Sequence, residues 1–355
     1  MKNLFKKNSL LKIFLCVVIA GTSFSCTDDS PVEPQKESEN VIYYFTGFKN
    51  PVTNEYEAHF CKMNEDGSNR VSITQLSSVA NEAQYSSNMK RLIIGGYSVM
   101  DIDGKNKTYL IGGHAEQSYQ EISPNGDRFF QMYHGRCDIF DAVDNWKKRE
   151  IFREGYASGA KWSYDSRRII YYNLGNIISR NADSSDDRVV IYQYDTTQMT
   201  GYAGNVYPSP YEDKIFFERQ AVGKNIRELC VMNGDGSDLR VIHVYSIENG
   251  FRGFADWAPD GKSVIFEKSI DKYFTSIMLL KLDGSATTLP PKRYINRSSR
   301  FSHNGTKILY QLYIPDASGS NKGRFVLQLS DLYGTNEKIL TPEGYDDASP
   351  GWASR

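Results

Sequence analysis

The chain carries residue types that could do acid–base or metal chemistry, but no spacing that assembles them. Its five histidines, His59, His114, His134, His243 and His303, are far apart, and no His-Glu-x-x-His pair is present to seat a zinc ion beside its general base. There is no Gly-x-Ser-x-Gly nucleophile turn and no glycine-rich phosphate loop. Sequence alone therefore assigns no catalytic residue, no metal ligand and no cofactor. Asp127, Asp165, Asp213 and Asp260 recur in or beside one turn-forming phrase. Asp and Asn there bond their own backbone, so turn formation accounts for them. "NEDGSN" at 64–69 and "NGDGSD" at 233–238 have the composition of calcium loops without the ligand spacing of one.

Cysteine chemistry is equally spare. Beyond Cys26, the cysteines are Cys61, Cys137 and Cys230, each in a strand-like run. No Cys-x-x-Cys occurs, and the expectation is buried free thiols.

Aromatic residues are the remaining lead. The chain has 24 Tyr and 18 Phe, and most must be core. Trp146 lies in the polar stretch "DAVDNWKKRE"; Tyr202 and Tyr207 flank "AGNV"; Tyr245 and Phe251 flank "SIENG". On a rigid scaffold such residues can stack on sugar rings or bury against a protein. They are the candidate ligand-binding rim.

The elements that must position these residues are written as a repeat. "WSYDSRRIIY" begins at Trp162, "WAPDGKSVIF" at Trp257 and "FSHNGTKILY" at Phe301. Weaker copies begin at Tyr85 ("YSSNMKRLII", with Met89 where Gly is expected), at Ile122 ("ISPNGDRFFQ") and near 208 ("PSPYEDKIFF", which has lost its Gly). A last fragment contains Trp352. Tyr85, Ile122, Trp162, Trp257, Phe301 and Trp352 are therefore the structural repeat anchors. After each anchor come short β-branched and aromatic runs, too short for helices. "DG" turns follow, supplying the positive φ that tight hairpins need. Each unit reads as about four antiparallel strands. One such sheet cannot bury both faces alone, and stacking units in a ring does so.

The expected fold is all-β: a seven-bladed β-propeller, with six blades as the alternative, spanning 41–355 as a single domain. The N-terminal segment opens without an anchor. Val41–Thr46 reads as a second strand, and its missing first strand is available in Ser349–Ala353, so the two termini are expected to close the ring.

The phrases "WAPDGKSVIF", "LCVMNGDGSDLRVI" and "EKILTPEGYDDASPGWAS" resemble the TolB-type WD40-like (PD40) repeat. The likeness covers nearly all of 41–354. Tyr164 and His303 depart from its usual Pro. The resemblance implies the propeller and an extracytoplasmic setting. It implies little about activity, because proteins built on this repeat range from envelope scaffolds to sugar-binding or sugar-cleaving proteins.

The N-terminus sets location. Residues 1–25 combine Lys2, Lys6 and Lys7, a short apolar run, and small residues before Cys26. This resembles a bacterial lipoprotein signal peptide with Cys26 as the lipidated residue. The polar stretch 26–40 reads as the lipidated cysteine and a flexible tether. Removing residues 1–25 takes four lysines and no acid from a chain of net charge -1, leaving about -5, and no basic stripe points to nucleic acid. Asp28 and Asp29 resemble the acidic export signal of surface lipoproteins of the Bacteroides group.

The expected protein is an outer-membrane lipoprotein, periplasmic or surface-exposed. It is held to the membrane by its lipid and binds an envelope protein or a glycan without catalysis. The alternative is a polysaccharide lyase or hydrolase with its site in the propeller channel.

Overall fold

The computed structural model describes residues 40–76, 83–95, 98–110, 119–183, 187–195, 203–220, 225–246, 251–270, 274–293, 295–315 and 323–352. They form seven antiparallel sheets: six of four strands and one of five, the extra strand being Lys292–Arg293. This is the seven-bladed β-propeller. The innermost strands are Tyr345–Trp352 (blade 1), Ala83–Tyr85 (blade 2), Tyr119–Ile122 (blade 3), Ala157–Trp162 (blade 4), Ala203–Pro208 (blade 5), Phe251–Trp257 (blade 6) and Ile295–Phe301 (blade 7). They neighbour one another around the centre.

The repeat phrase sets one register in every blade. Each anchor ends its innermost strand opposite an apolar residue of the second: Tyr85↔Leu92, Ile122↔Phe129, Trp162↔Ile169, Trp257↔Val264 and Phe301↔Ile308. Pro208↔Ile215 and Trp352↔Ile42 follow the same rule. The copy near 208 is thus a full blade, and Trp352 is the anchor of the composite one. Blade 1 takes its first strand from the C-terminal end and the other three, Val41–Lys49, Tyr56–Asn64 and Val71–Leu76, from the N-terminal end.

The pleat then decides which way side chains point, because neighbours in a strand face opposite sides. Every anchor with an apolar side chain in a core cluster packs back on the preceding blade. Trp162 meets Phe130, and Trp257 meets Phe216 and Val231. Phe301 meets Ile265, and Trp352 meets Leu309 and Leu327. Burying one such side chain contributes about 1.5–3 kcal/mol, and the layer recurs at the blade interfaces other than that between blades 4 and 5, where the anchor is Pro208. Two indoles also donate across the interface: Trp162 Nε1 to Glu121 O and Trp257 Nε1 to Tyr207 O, both at 3.0 Å.

The turn after each anchor explains its composition. Gly126, Gly261 and Gly305 adopt φ of 72°, 66° and 68°, and Met89 and Ser166 hold the same left-handed conformation at 51° and 60°. Asn125, Asp165, Asp260 and Asn304 each accept from the backbone N–H two residues on. Asp165 and Asp260 therefore build turns, as expected from the sequence. Asp127 instead pairs with Lys90 at 2.6 Å and Arg91 at 2.7 Å on the preceding blade, and the Asp213 carboxylate stands against Gly234. The three cysteines Cys61, Cys137 and Cys230 are buried and free.

Candidate functional site

Because each anchor turns back toward the preceding blade, the residue just before it turns the other way. Seven side-chain positions follow: Gln84, Glu121, Lys161, Tyr207, Asp256, Arg300 and Gly351. All seven line one cavity of about 400 Å³ at the centre of the ring, together with the anchors and the turns that follow them in blades 2, 3 and 5. The ring carries two acids and two bases. Glu121 Oε1 lies 3.1 Å from Lys161 Nζ, and Glu121 Oε2 accepts from Trp162 N at 2.7 Å. Blade 6 repeats the device: Asp256 Oδ2 accepts from Phe301 N at 2.9 Å. In both blades a carboxylate before the anchor caps the backbone of the next blade's anchor.

Electrostatics single out the second dyad. Burial pushes the Asp256 carboxyl up to about 6, opposed by the Arg300 charge and by the backbone donors of Phe301 and Trp257. The desolvated charge is disfavoured, and the nearby guanidinium recovers only part of the loss. Arg300 donates to Ser299 O at 3.1 Å. Tyr211 lines the same cavity. Burial and then the Asp256 charge raise its phenol above its usual value, yet the residue is 43% exposed.

Tyr211 is free to occupy this place because the turn of blade 5 is built differently. It sits where blades 2, 3, 4, 6 and 7 place the turn-forming Asn or Asp. Ser209 Oγ takes over, accepting from Tyr211 N at 3.2 Å and Glu212 N at 3.3 Å. Glu212, at the glycine position, reaches toward blade 6, where a Cβ on Gly261 would stand 2.3 Å from its carboxylate. Pro208 and Pro210 of the same turn line the cavity. The copy that departs furthest from the repeat is therefore the one that shapes the channel mouth.

At the other side of Gly351 the wall is closed by an aromatic ring. A Cβ on Gly351 would stand 2.6 Å from Tyr85 Cδ2, and Tyr85 donates to Ser349 O at 2.9 Å. Glycine is needed there for close approach, not for its φ.

The sequence-derived candidates are distributed as follows. Tyr207 is in the channel ring. Trp146 is half-buried at φ 59°, with the Arg91 guanidinium 5.5 Å from its ring centre. Tyr245 packs into the interface between blades 5 and 6, against the cluster of Trp257 and Phe266. Phe251 opens the innermost strand of blade 6, pairing with Lys268, and its side chain lies outside the described residues. Tyr202 and Cys26 lie outside the described residues. Tyr207 packs against the same cluster as Tyr245, and Trp146 packs against the cluster of Ile93, Val99 and Phe129. Tyr85, Ile122, Trp162, Trp257, Phe301 and Trp352, read as structural anchors, also form the channel wall.

Glu121, Lys161, Tyr211, Asp256 and Arg300 were not singled out by sequence reasoning. A signal for four of them exists: a charge placed directly before a buried anchor, on a strand expected to line the centre.

The described histidines remain on separate blades. His59 bonds Glu57 and Ser72, His134 sits in a hairpin turn against Tyr133, and His303 sits in the turn after Phe301. His243 is held below its usual value by burial and then by Lys268. His114 lies outside the described residues. Among the described residues, no three His, Cys, Asp or Glu side chains are placed to share a metal ion. A second cavity, of about 430 Å³, opens between blades 3 and 4. There Arg128 pairs with Asp141 at 3.1 Å and Asp183 at 2.8 Å.

No family model and no curated protein matches the chain. Solved structures do. An oligogalacturonate lyase in complex with manganese superposes with a TM-score of 0.56 at 12% identity, over 84% of this chain and 84% of that one. A TolB candidate from Agrobacterium tumefaciens gives 0.47 at 17% identity, over 71% and 90%. TolB from Acinetobacter baumannii gives 0.48 at 14%, over 88% and 83%. At such identities what the chain shares with the lyase is the fold, a β-propeller, and the fold is one that binds ligands and proteins in many settings.

Proposed function

We propose that this protein is an envelope lipoprotein, anchored through Cys26, whose propeller binds a glycan at the mouth of its central channel. The observation that carries the binding reading is the turn of blade 5. It gives up the Asn/Asp geometry used by blades 2, 3, 4, 6 and 7 and sets a 43%-exposed tyrosine, Tyr211, beside Asp256 and Arg300 in a cavity of about 400 Å³. Ligand pockets are concave, about 300–1,000 Å³, with apolar walls and a few convergent polar groups. An exposed phenol beside charged hydrogen-bonding groups is the combination that takes a sugar ring, with its apolar face and its hydroxyl edge. The lipid anchor, the tether over 26–40 and the outer-membrane location rest on the resemblance of residues 1–29 to lipoprotein signals.

A second reading, cleavage of a polysaccharide in the same channel, is favoured by Asp256. A carboxyl that titrates near 6 next to a guanidinium and a phenol has the range of a general acid or base. The likeness in fold to oligogalacturonate lyase adds no residue to this reading.

One experiment separates the readings. Purified residues 27–355 are applied to a glycan array, with and without divalent cations, and both binding and product release are followed. Saturable binding without products, lost in Tyr211→Ala, supports the proposal. Release of products supports the enzyme. Binding to an envelope protein in the absence of any glycan binding overturns both in favour of a protein partner.

A further inference from the structure

We infer that the channel ring selects an uncharged, hydroxyl-rich ligand, a neutral glycan, with the Glu121–Lys161 and Asp256–Arg300 steps each gripping neighbouring hydroxyls. The inference rests on the glycan-binding reading above and narrows its ligand class.

The ring's charge is the first observation. Glu121 and Asp256 are balanced by Lys161 and Arg300, and the other three ring positions are Gln84, Tyr207 and Gly351, so the seven positions sum to zero. An ionic ligand entering this cavity loses hydration and gains no net opposite charge to replace it. A neutral ligand meets no such loss.

The second observation is the way the acids are held. Each carboxylate has one oxygen tied to the backbone N–H of the next blade, Glu121 to Trp162 and Asp256 to Phe301. These bonds hold both carboxylates against the wall. The remaining oxygen of Glu121 stands beside the Lys161 ammonium at 3.1 Å, and Asp256 and Arg300 line the same cavity, where Arg300 Nη1 donates to Ser299 O at 3.1 Å. A fixed acceptor beside a fixed donor is complementary to a hydroxyl pair, because every hydroxyl both donates and accepts. Such bonds are charge-assisted and about twice as strong as neutral ones. Selectivity therefore comes from pre-set donor–acceptor pairs, while Tyr211 supplies the apolar face.

Titration calorimetry of residues 27–355 tests this with neutral disaccharides and with the same disaccharides carrying a uronate or an amino group. The neutral sugars are expected to bind at least tenfold more tightly than either charged form. Their dissociation constant is expected to change less than about twofold between roughly 50 and 500 mM NaCl, since a neutral ligand has no Coulomb attraction for salt to screen. Asp256→Asn keeps the size of the side chain and leaves the ring one unit positive. It is expected to weaken neutral-sugar binding about tenfold and to narrow or reverse the preference over the uronate.

A uronate or amino sugar that binds the unaltered protein more tightly than its neutral counterpart overturns the inference and leaves the glycan reading standing. Absence of binding by every sugar overturns both. Neutral-sugar binding untouched by both Asp256→Asn and Glu121→Gln, in proteins with unaltered denaturation midpoints, overturns the role of the ring.

Discussion

Arg70 and Asp347, 277 residues apart in the chain, form a two-pronged ion pair that ties the ends of the propeller together. Arg70 Nη1 lies 3.0 Å from Asp347 Oδ2, and Nη2 lies 3.1 Å from Oδ1. The aspartate side chain is fully buried. Thr341 Oγ1 donates to it at 2.7 Å, and the guanidinium lies over the Tyr44 and Tyr345 rings. Asp347 belongs to the strand contributed by the C-terminal end, and Arg70 directly precedes the outermost strand of the same blade. The contact therefore exists only when the ring is closed. Removing one partner of a buried pair leaves an uncompensated charge, at a cost of about 3–5 kcal/mol. Asp347→Ala is expected to lower the urea stability by about that amount, and Arg70→Met combined with Asp347→Leu to recover a large part of it. Equal losses in the single and double variants would show that the pair contributes nothing beyond its packing.

The tryptophan anchors are expected to respond unequally to one substitution. Trp257 Nε1 donates to Tyr207 O of the preceding blade. Trp352 occupies the same register in the composite blade, but its Nε1 is buried with no partner among the described residues. Replacing Trp257 by Phe removes packing and leaves a buried carbonyl short of a donor. Replacing Trp352 by Phe removes similar packing and relieves an unpaired donor. Unpaired buried groups cost about 1–3 kcal/mol. Trp352→Phe is therefore expected to be milder than Trp257→Phe by at least about 1 kcal/mol in chemical denaturation, and the reverse order would refute the account.

Leu174 is an exposed misfit. With Gly175 it forms the two-residue turn between Arg168–Asn173 and Asn176–Asn181 of blade 4, at φ 47° and 86°. The first position favours Asn, whose side chain tolerates the left-handed region that Leu avoids. Leu174 is 65% exposed, so little packing is lost on replacement. Leu174→Asn is expected to stabilise the protein by about 0.5–1 kcal/mol, read as a higher denaturation midpoint at unchanged slope.

Glu154 makes the stability of blade 4 acid-sensitive. Burial acts to raise its carboxyl, but hydrogen bonds from Arg188, Tyr171 and Arg180 and the arginine charges outweigh it and bring it down to about 2. A carboxyl lowered on folding binds its proton less readily in the folded state. Its contribution is therefore full above its ordinary value of 4.5 and is lost as pH falls toward about 2. The loss is on the order of 1–3 kcal/mol. Glu154→Gln is expected to destabilise the protein at pH 7 and to flatten the fall in stability between pH 4.5 and 2, measured by urea unfolding across that range.

Much of the fold was legible because it is repeated locally. Anchor, turn and strand lie within ten residues of one another, so "WAPDGKSVIF" already contains the hairpin that places Trp257 opposite Val264. The anchorless start at Val41 and the stray Trp352 together implied that the ends share a blade, and they do. Buried free cysteines and the turn-building Asp165 and Asp260 followed from the same local chemistry.

The channel was not legible for a physical reason. Glu121 and Lys161 are 40 residues apart, and Asp256 and Arg300 are 44 apart. Each pair becomes adjacent only when consecutive blades stack, and the two pairs share a cavity only when the ring closes. The copy near 208 read as eroded, because a sequence pattern records departure from the repeat without saying what the departure frees. Tyr211 acquires its place from the Ser209 bonds and from the neighbouring blades. Composition and spacing determined the strands and their turns, which are contacts between near neighbours, and favoured seven blades over six; the pairing of the two chain ends fixes the count at seven. Which side of the pleat faces the channel, and which charges meet there, was decided by stacking, which joins residues about 40 positions apart, and by closure, which joins residues about 300 apart.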